Sequence, residues 1–107
     1  MSTSRIDIFK QMLLGDPANT SVLFGLAKEY EKTGNHADMI ATLKSYLEQT
    51  DDEGNAYGML ARAYEHLGRR DEARETYQRG IAAATAHGHP GMVEEYKTIL
   101  ESEFSVP

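Results

Sequence analysis

SVLFGLAKEYEKTG, residues 21–34, returns 34 positions later as NAYGMLARAYEHLG, residues 55–68, and this recurrence decides the fold. In register, Leu23, Leu26, Ala27, Tyr30 and Gly34 fall on Tyr57, Leu60, Ala61, Tyr64 and Gly68. The match continues with Leu43 on Tyr77 and Leu47 on Ile81. Apolar residues at i, i+3, i+4 and i+7 line one face of a helix. The closing glycine takes a left-handed conformation at little cost. A self-match of this period marks stacked helical hairpins, each too small to bury its apolar face alone.

Working outward, Ser4 followed by Asp7 predicts a helix start, with Ile6, Phe9 and Leu13 recurring at helical spacing beside Met12. Gly15, Asp16 and Pro17 stop that helix, and Asn19 or Thr20 caps the next. The short Gly34-Asn35 connection makes the helix at about 36–50 fold back, with Met39, Ile40, Leu43 and Leu47 inward and Tyr46 alongside. Asp51-Asp52-Glu53 supplies a cap and negative charge for a helix at about 54–67. A helix at about 70–86 turns Ala73, Tyr77, Ile81 and Ala84 inward. Pro90 opens a last helix holding Val93, Tyr96 and Leu100, with Met92 and Ile99 beside them, which frays into Phe104-Ser105-Val106-Pro107. The expectation is an all-α chain of about six helices forming a single domain, 1–107. It divides into 4–17, 20–53, 54–87 and 90–103.

Composition narrows the function classes. With 17 acidic against 11 basic residues, net charge is −6, which argues against nucleic acid as ligand because phosphate binding needs concentrated positive charge. The chain has no Cys, so disulfides, thiolate zinc sites and a Cys nucleophile are excluded. No apolar run approaches the roughly 20 residues that span a bilayer, and the N-terminus lacks a secretion signal. No membrane partner is expected, and a cytoplasmic location is.

These residues resemble the tetratricopeptide repeat family. Its pattern of a large residue, Leu, a small residue, Tyr, Gly, a small residue and an aromatic is met by Tyr57, Leu60, Ala61, Tyr64, Gly68, Ala73 and Tyr77. Leu23, Leu26, Ala27, Tyr30 and Gly34 meet it again, with departures at Met39, Tyr46 and Asp51. Ile6, Phe9, Leu13 and Pro17 take the late positions of a half-repeat, and the last helix is similar to the solvating helix that often ends such arrays. The resemblance implies a right-handed superhelix of antiparallel hairpins. It also implies a concave groove, lined by the first helix of each hairpin, that holds a protein or peptide partner.

In that groove the resemblance places Ser21, Phe24, Lys28 and Glu31 in repeat one, and Asn55, Gly58, Arg62 and Glu65 in repeat two. Lys28 and Arg62 are then expected to stack as neighbours, with Phe24 facing the gap at Gly58. Two readings stay open. Phe24 and the two cations hold an acidic peptide, or the face is merely solvated, with Lys28–Glu31 and Arg62–Glu65 pairs worth ~0.2–0.5 kcal/mol each. The Lys and Asn set with which some family members grip a C-terminal carboxylate is missing, since Phe24 and Lys28 occupy those positions.

His87-Gly88-His89 lacks the third ligand a metal site needs, and His36 and His66 read as surface residues at helix ends. Asp51-Asp52-Glu53 does not have calcium-loop spacing and is accounted for by capping. No catalytic arrangement, metal site or cofactor motif is visible, so no enzymatic activity and no cofactor are expected. The reading is an adaptor or scaffold module for protein binding. The alternative is a self-associating subunit, a homo-dimer or larger, paired through its terminal helices by Tyr46, Phe104 and the Met residues at the ends.

Overall fold

The computed structural model describes residues 4–104, and among them it is all-α, with six helices and no strand. Ser105, Val106 and Pro107, expected to fray, and Met1 lie outside the described residues. The chain divides at Asp51 and Asp52 into two compact units, each of three helices.

The first unit holds α1 (Arg5–Gly15), α2 (Thr20–Thr33) and α3 (His36–Gln49). Ser4 caps α1, its hydroxyl accepting from the Asp7 amide at 3.1 Å, and Asn19 caps α2 through the Val22 amide at 3.1 Å. Gly34 ends α2 at φ 73°, a left-handed position where a Cβ would be strained. The chain then reverses within two residues, and α3 lies against α2. Val22, Leu23, Leu26, Ala27 and Tyr30 are buried from α2, with Met39, Ile40 and Leu43 from α3. Burying each aliphatic side chain contributes roughly 1.5–3 kcal/mol. By contrast α1 buries no residue fully; Ile6, Phe9 and Leu13 are half-buried on its inner face. It leans on α2 at Gly25, where an added Cβ would stand 3.2 Å from Phe9 Cζ.

The second unit holds α4 (Asn55–His66), α5 (Arg70–Ala86) and α6 (Pro90–Glu103). The Asp51-Asp52-Glu53 cap is supplied by Asp52, whose Oδ1 accepts from the Gly54 amide at 2.8 Å and the Ala56 amide at 3.0 Å. Leu60, Ala61 and Tyr64 are buried with Ala73, Tyr77 and Ala84, as the repeat pattern predicts, and Tyr57 and Ile81 are half-buried. Tyr96 of α6 lies across two glycines. A Cβ on Gly80 would meet Tyr96 Cε2 at 2.9 Å and Tyr57 Cβ at 3.0 Å, which explains a glycine inside a helix that otherwise costs about 1 kcal/mol against Ala. The Tyr96 hydroxyl donates to the Gly54 carbonyl at 2.8 Å, so the ring is pinned at both ends.

Candidate functional site

In the first unit, three turns of α2 carry the residues expected to face a partner. Ser21, Lys28 and Glu31 are exposed and Phe24 is half-buried. Phe24 leans on Tyr46 of α3, ring centroids 5.2 Å apart, and the Lys28 ammonium lies 5.6 Å from the Phe24 centroid on the same side chain. Thr20, Ser21, Phe24 and Tyr46 line a pocket of about 330 Å³. The large Tyr46, a departure from the family pattern, therefore builds one wall of this pocket. An aromatic wall, two hydroxyls and an adjacent cation form a surface suited to an apolar side chain beside a carboxylate.

The matching positions of the second unit are used differently. Asn55 and Arg62 are exposed, but Gly58 is buried and Glu65 half-buried. Gly58 leaves no gap for Phe24: the Tyr96 hydroxyl and ring fill the space where its side chain would be, with a Cβ falling 2.9 Å from Tyr96 Cζ. The expectation of an open position at Gly58 is corrected on that ground. The repeat register gave no sign that α6 would cover it. Glu65 accepts a hydrogen bond from the Tyr77 hydroxyl at 2.9 Å instead of pairing with Arg62. Burial pushes the Glu65 carboxyl up, the Tyr77 hydrogen bond opposes this, and the neighbouring Glu103 carboxylate adds to it. Burial and Glu65 together push the Tyr77 hydroxyl well above its usual range. Burial also raises Tyr96.

Neither Lys28 nor Arg62 makes an ion pair among the described residues, so the local pairs of the solvated-face reading do not form. Glu29 is the acid that pairs on α2, with Arg5 at 2.8 Å and Lys32 at 3.5 Å.

Two expectations about the ends of the chain change. Phe104 is buried, not open to a seam: it packs edge-on to Tyr77 at 5.9 Å beneath the Arg70 guanidinium, 4.7 Å from its ring. Arg70 and Arg74 donate to the Glu103 and Phe104 carbonyls at 2.5 and 3.3 Å, fastening the end of α6 to α5. Tyr46 is committed to Phe24, whereas Met12 is exposed and Met92 half-buried. His36 is half-buried and His66 exposed; His89 Nε2 lies 2.6 Å from Glu53 Oε1. No group of three or more His, Asp or Glu among the described residues is placed to hold a metal ion. Among the same residues no helix is long and apolar enough to cross a membrane.

The comparison with known proteins agrees with the helical-repeat fold. The family model described as tetratricopeptide repeat matches residues 34–89, more than half of the chain. The crystal structure of MamA superposes with a TM-score of 0.70 at 23% identity, covering 92% of this chain and 66% of that one. The chain thus spans just under two thirds of the length of MamA. The solution structure of protein BPP2914 from Bordetella parapertussis superposes with a TM-score of 0.77 at 23% identity, covering 94% of this chain and 87% of that one. At such identity the likeness shows the fold alone. No curated protein matches the chain.

Proposed function

The chain belongs to the tetratricopeptide repeat family, whose members generally mediate protein–protein interaction, and from that premise we propose that it binds an acidic peptide segment on the open face of α2. An apolar side chain of the peptide enters the pocket between Phe24 and Tyr46, and a carboxylate meets Lys28. Ser21 and Thr20 hold the peptide backbone at the pocket's rim. The supporting observation is that Lys28 stands against an aromatic wall and makes no ion pair among the described residues. A lysine already neutralised by Glu31 would have little to gain from a partner's carboxylate, whereas a charge-assisted contact contributes about 1.5–3 kcal/mol.

The test is selection from a displayed random-peptide library on the immobilised protein, followed by binding of one selected peptide to wild type, Lys28→Glu and Phe24→Ala. Selected peptides are expected to carry Asp or Glu beside a large apolar residue, and each substitution is expected to weaken binding tenfold or more. Selection of neutral or basic sequences, or equal binding by Lys28→Glu, would refute this reading of the α2 face.

A further inference from the structure

α1 carries three of the most exposed large apolar side chains among the described residues, Ile8 at 47%, Met12 at 49% and Leu14 at 77%, and α2 is the helix it packs on. These side chains leave apolar surface of α1 uncovered among the described residues. We propose that α1 docks antiparallel against α1 of a second copy of this chain, in a two-fold pair.

The occupant follows from the pattern of the stripe. Arg5, Ile8, Met12 and Gly15 share one side of α1 at spacings of three and four, a cation at one end, two apolar residues in the middle and a small residue before Asp16 at the other. An isologous contact requires a patch complementary to itself under rotation. With two α1 helices antiparallel, Ile8 faces Met12 of the second copy and Met12 faces its Ile8. Beside Ile8 is an apolar pocket of about 200 Å³ lined by Arg5, Ile8 and Phe9, and the unbranched Met12 side chain of the second copy enters it. The same register sets Arg5 beside Asp16 of the second copy. Arg5 keeps a largely exposed side chain while bound to Glu29, so its guanidinium has donors left for a second carboxylate. Lys10 points away from the stripe, so no like charges meet at the axis. Gly15 has nothing within 4 Å of an added Cβ and gives the facing helix room to approach. This pairing uses neither Phe24 nor Lys28 and stands whether or not α2 binds a peptide.

An 11-residue helix pair buries a small area, so association is of the weak class and is read by sedimentation equilibrium up to about 1 mM. Wild type is expected to approach twice its 11.9 kDa mass, and Met12→Glu to weaken association at least tenfold. Leu67→Glu, at an exposed leucine in the second unit, is expected to leave association unchanged. Register is read in the same protein, because the natural chain has no cysteine. Ile8→Cys mixed with Met12→Cys should oxidise mainly to the mixed disulfide. A wild type that stays monomeric, a loss as large with Leu67→Glu as with Met12→Glu, or a preference for Ile8→Cys and Met12→Cys homodisulfides would each overturn the proposal.

Discussion

Gly58→Ala tests whether the second unit is closed by α6. In an open, solvated helix the substitution would stabilise by about 1 kcal/mol, because Ala is the better helix former. Here the new methyl would run into the Tyr96 hydroxyl and stand 2.9 Å from Cζ and 3.0 Å from Cε1 of the same ring. The ring cannot swing aside cheaply. Its hydroxyl is bound to the Gly54 carbonyl at 2.8 Å, and its other edge already lies against Gly80. Overpacking costs about 1–3 kcal/mol, and breaking a buried hydrogen bond costs a further ~1–3 kcal/mol. Against the propensity gain of about 1 kcal/mol, the net is a loss of about 1–5 kcal/mol. At ~4 °C or more per kcal/mol for a domain of this size, the melting midpoint should fall by roughly 10 °C. Tyr96→Phe alone removes the hydrogen bond and lowers stability by about 1 kcal/mol. In that background the hydroxyl contact is gone while the ring contacts remain, so Gly58→Ala should cost less than in wild type and the two changes should couple by more than ~1 kcal/mol. Thermal and urea unfolding of the four proteins by circular dichroism measures this cycle. A neutral or stabilising Gly58→Ala in the wild-type background would refute the closed arrangement.

The remaining predictions concern Glu65 and Asp52. Because the folded chain holds the Glu65 carboxyl above its ordinary 4.5, the native state binds more protons than the unfolded one as pH rises past that value. Glu65 therefore contributes most favourably in acid, and that contribution declines as pH rises through its raised pKa. Urea midpoints between about pH 4 and pH 7 should fall more steeply for wild type than for Glu65→Gln, and equal slopes would contradict the assignment. Asp52→Ala removes the acceptor for the Gly54 and Ala56 amides and should cost about 1 kcal/mol, with Asp52→Asn retaining most of the stability in the same unfolding assay.

Helix positions were legible where a boundary has a local cause: Ser4, Asn19 and Asp52 accept the first amides, and Gly34 takes positive φ. The inner faces of α2 and α5 were legible from spacing alone. Three features were not. Met59 and Ala63 are buried although they lie off the repeating stripe, because one period earlier their positions hold Gly25 and Glu29 and a period of 34 displays only the face both repeats share. The fate of Gly58 and Glu65 depends on α6, whose Tyr96 and Glu103 have no counterpart one period earlier in the buried pattern. The Phe24–Tyr46 pocket depends on a side chain that looked like a defect in the repeat. In each case a contact distant in sequence decides what a locally similar residue does.

That contrast bears on where ligand chemistry resides. Phe24 and Gly58, Lys28 and Arg62, and Glu31 and Glu65 are equivalent pairs by the repeat register, yet the two units spend them in opposite ways. In the second unit Tyr96 fills the position of Gly58, and Glu65 is engaged by Tyr77 with Glu103 alongside, so two of the equivalents serve the interior. In the first unit the aromatic stays at a pocket, the lysine makes no ion pair among the described residues, and Glu31 is exposed. Substituting a residue that already satisfies its neighbours perturbs folding first, whereas substituting the exposed Lys28 disturbs little within the fold. A charge reversal at Lys28 should therefore change binding at nearly constant stability. One at Glu65 should change stability before it changes binding, and the ratio of the two effects separates a surface kept for a partner from one consumed by the fold.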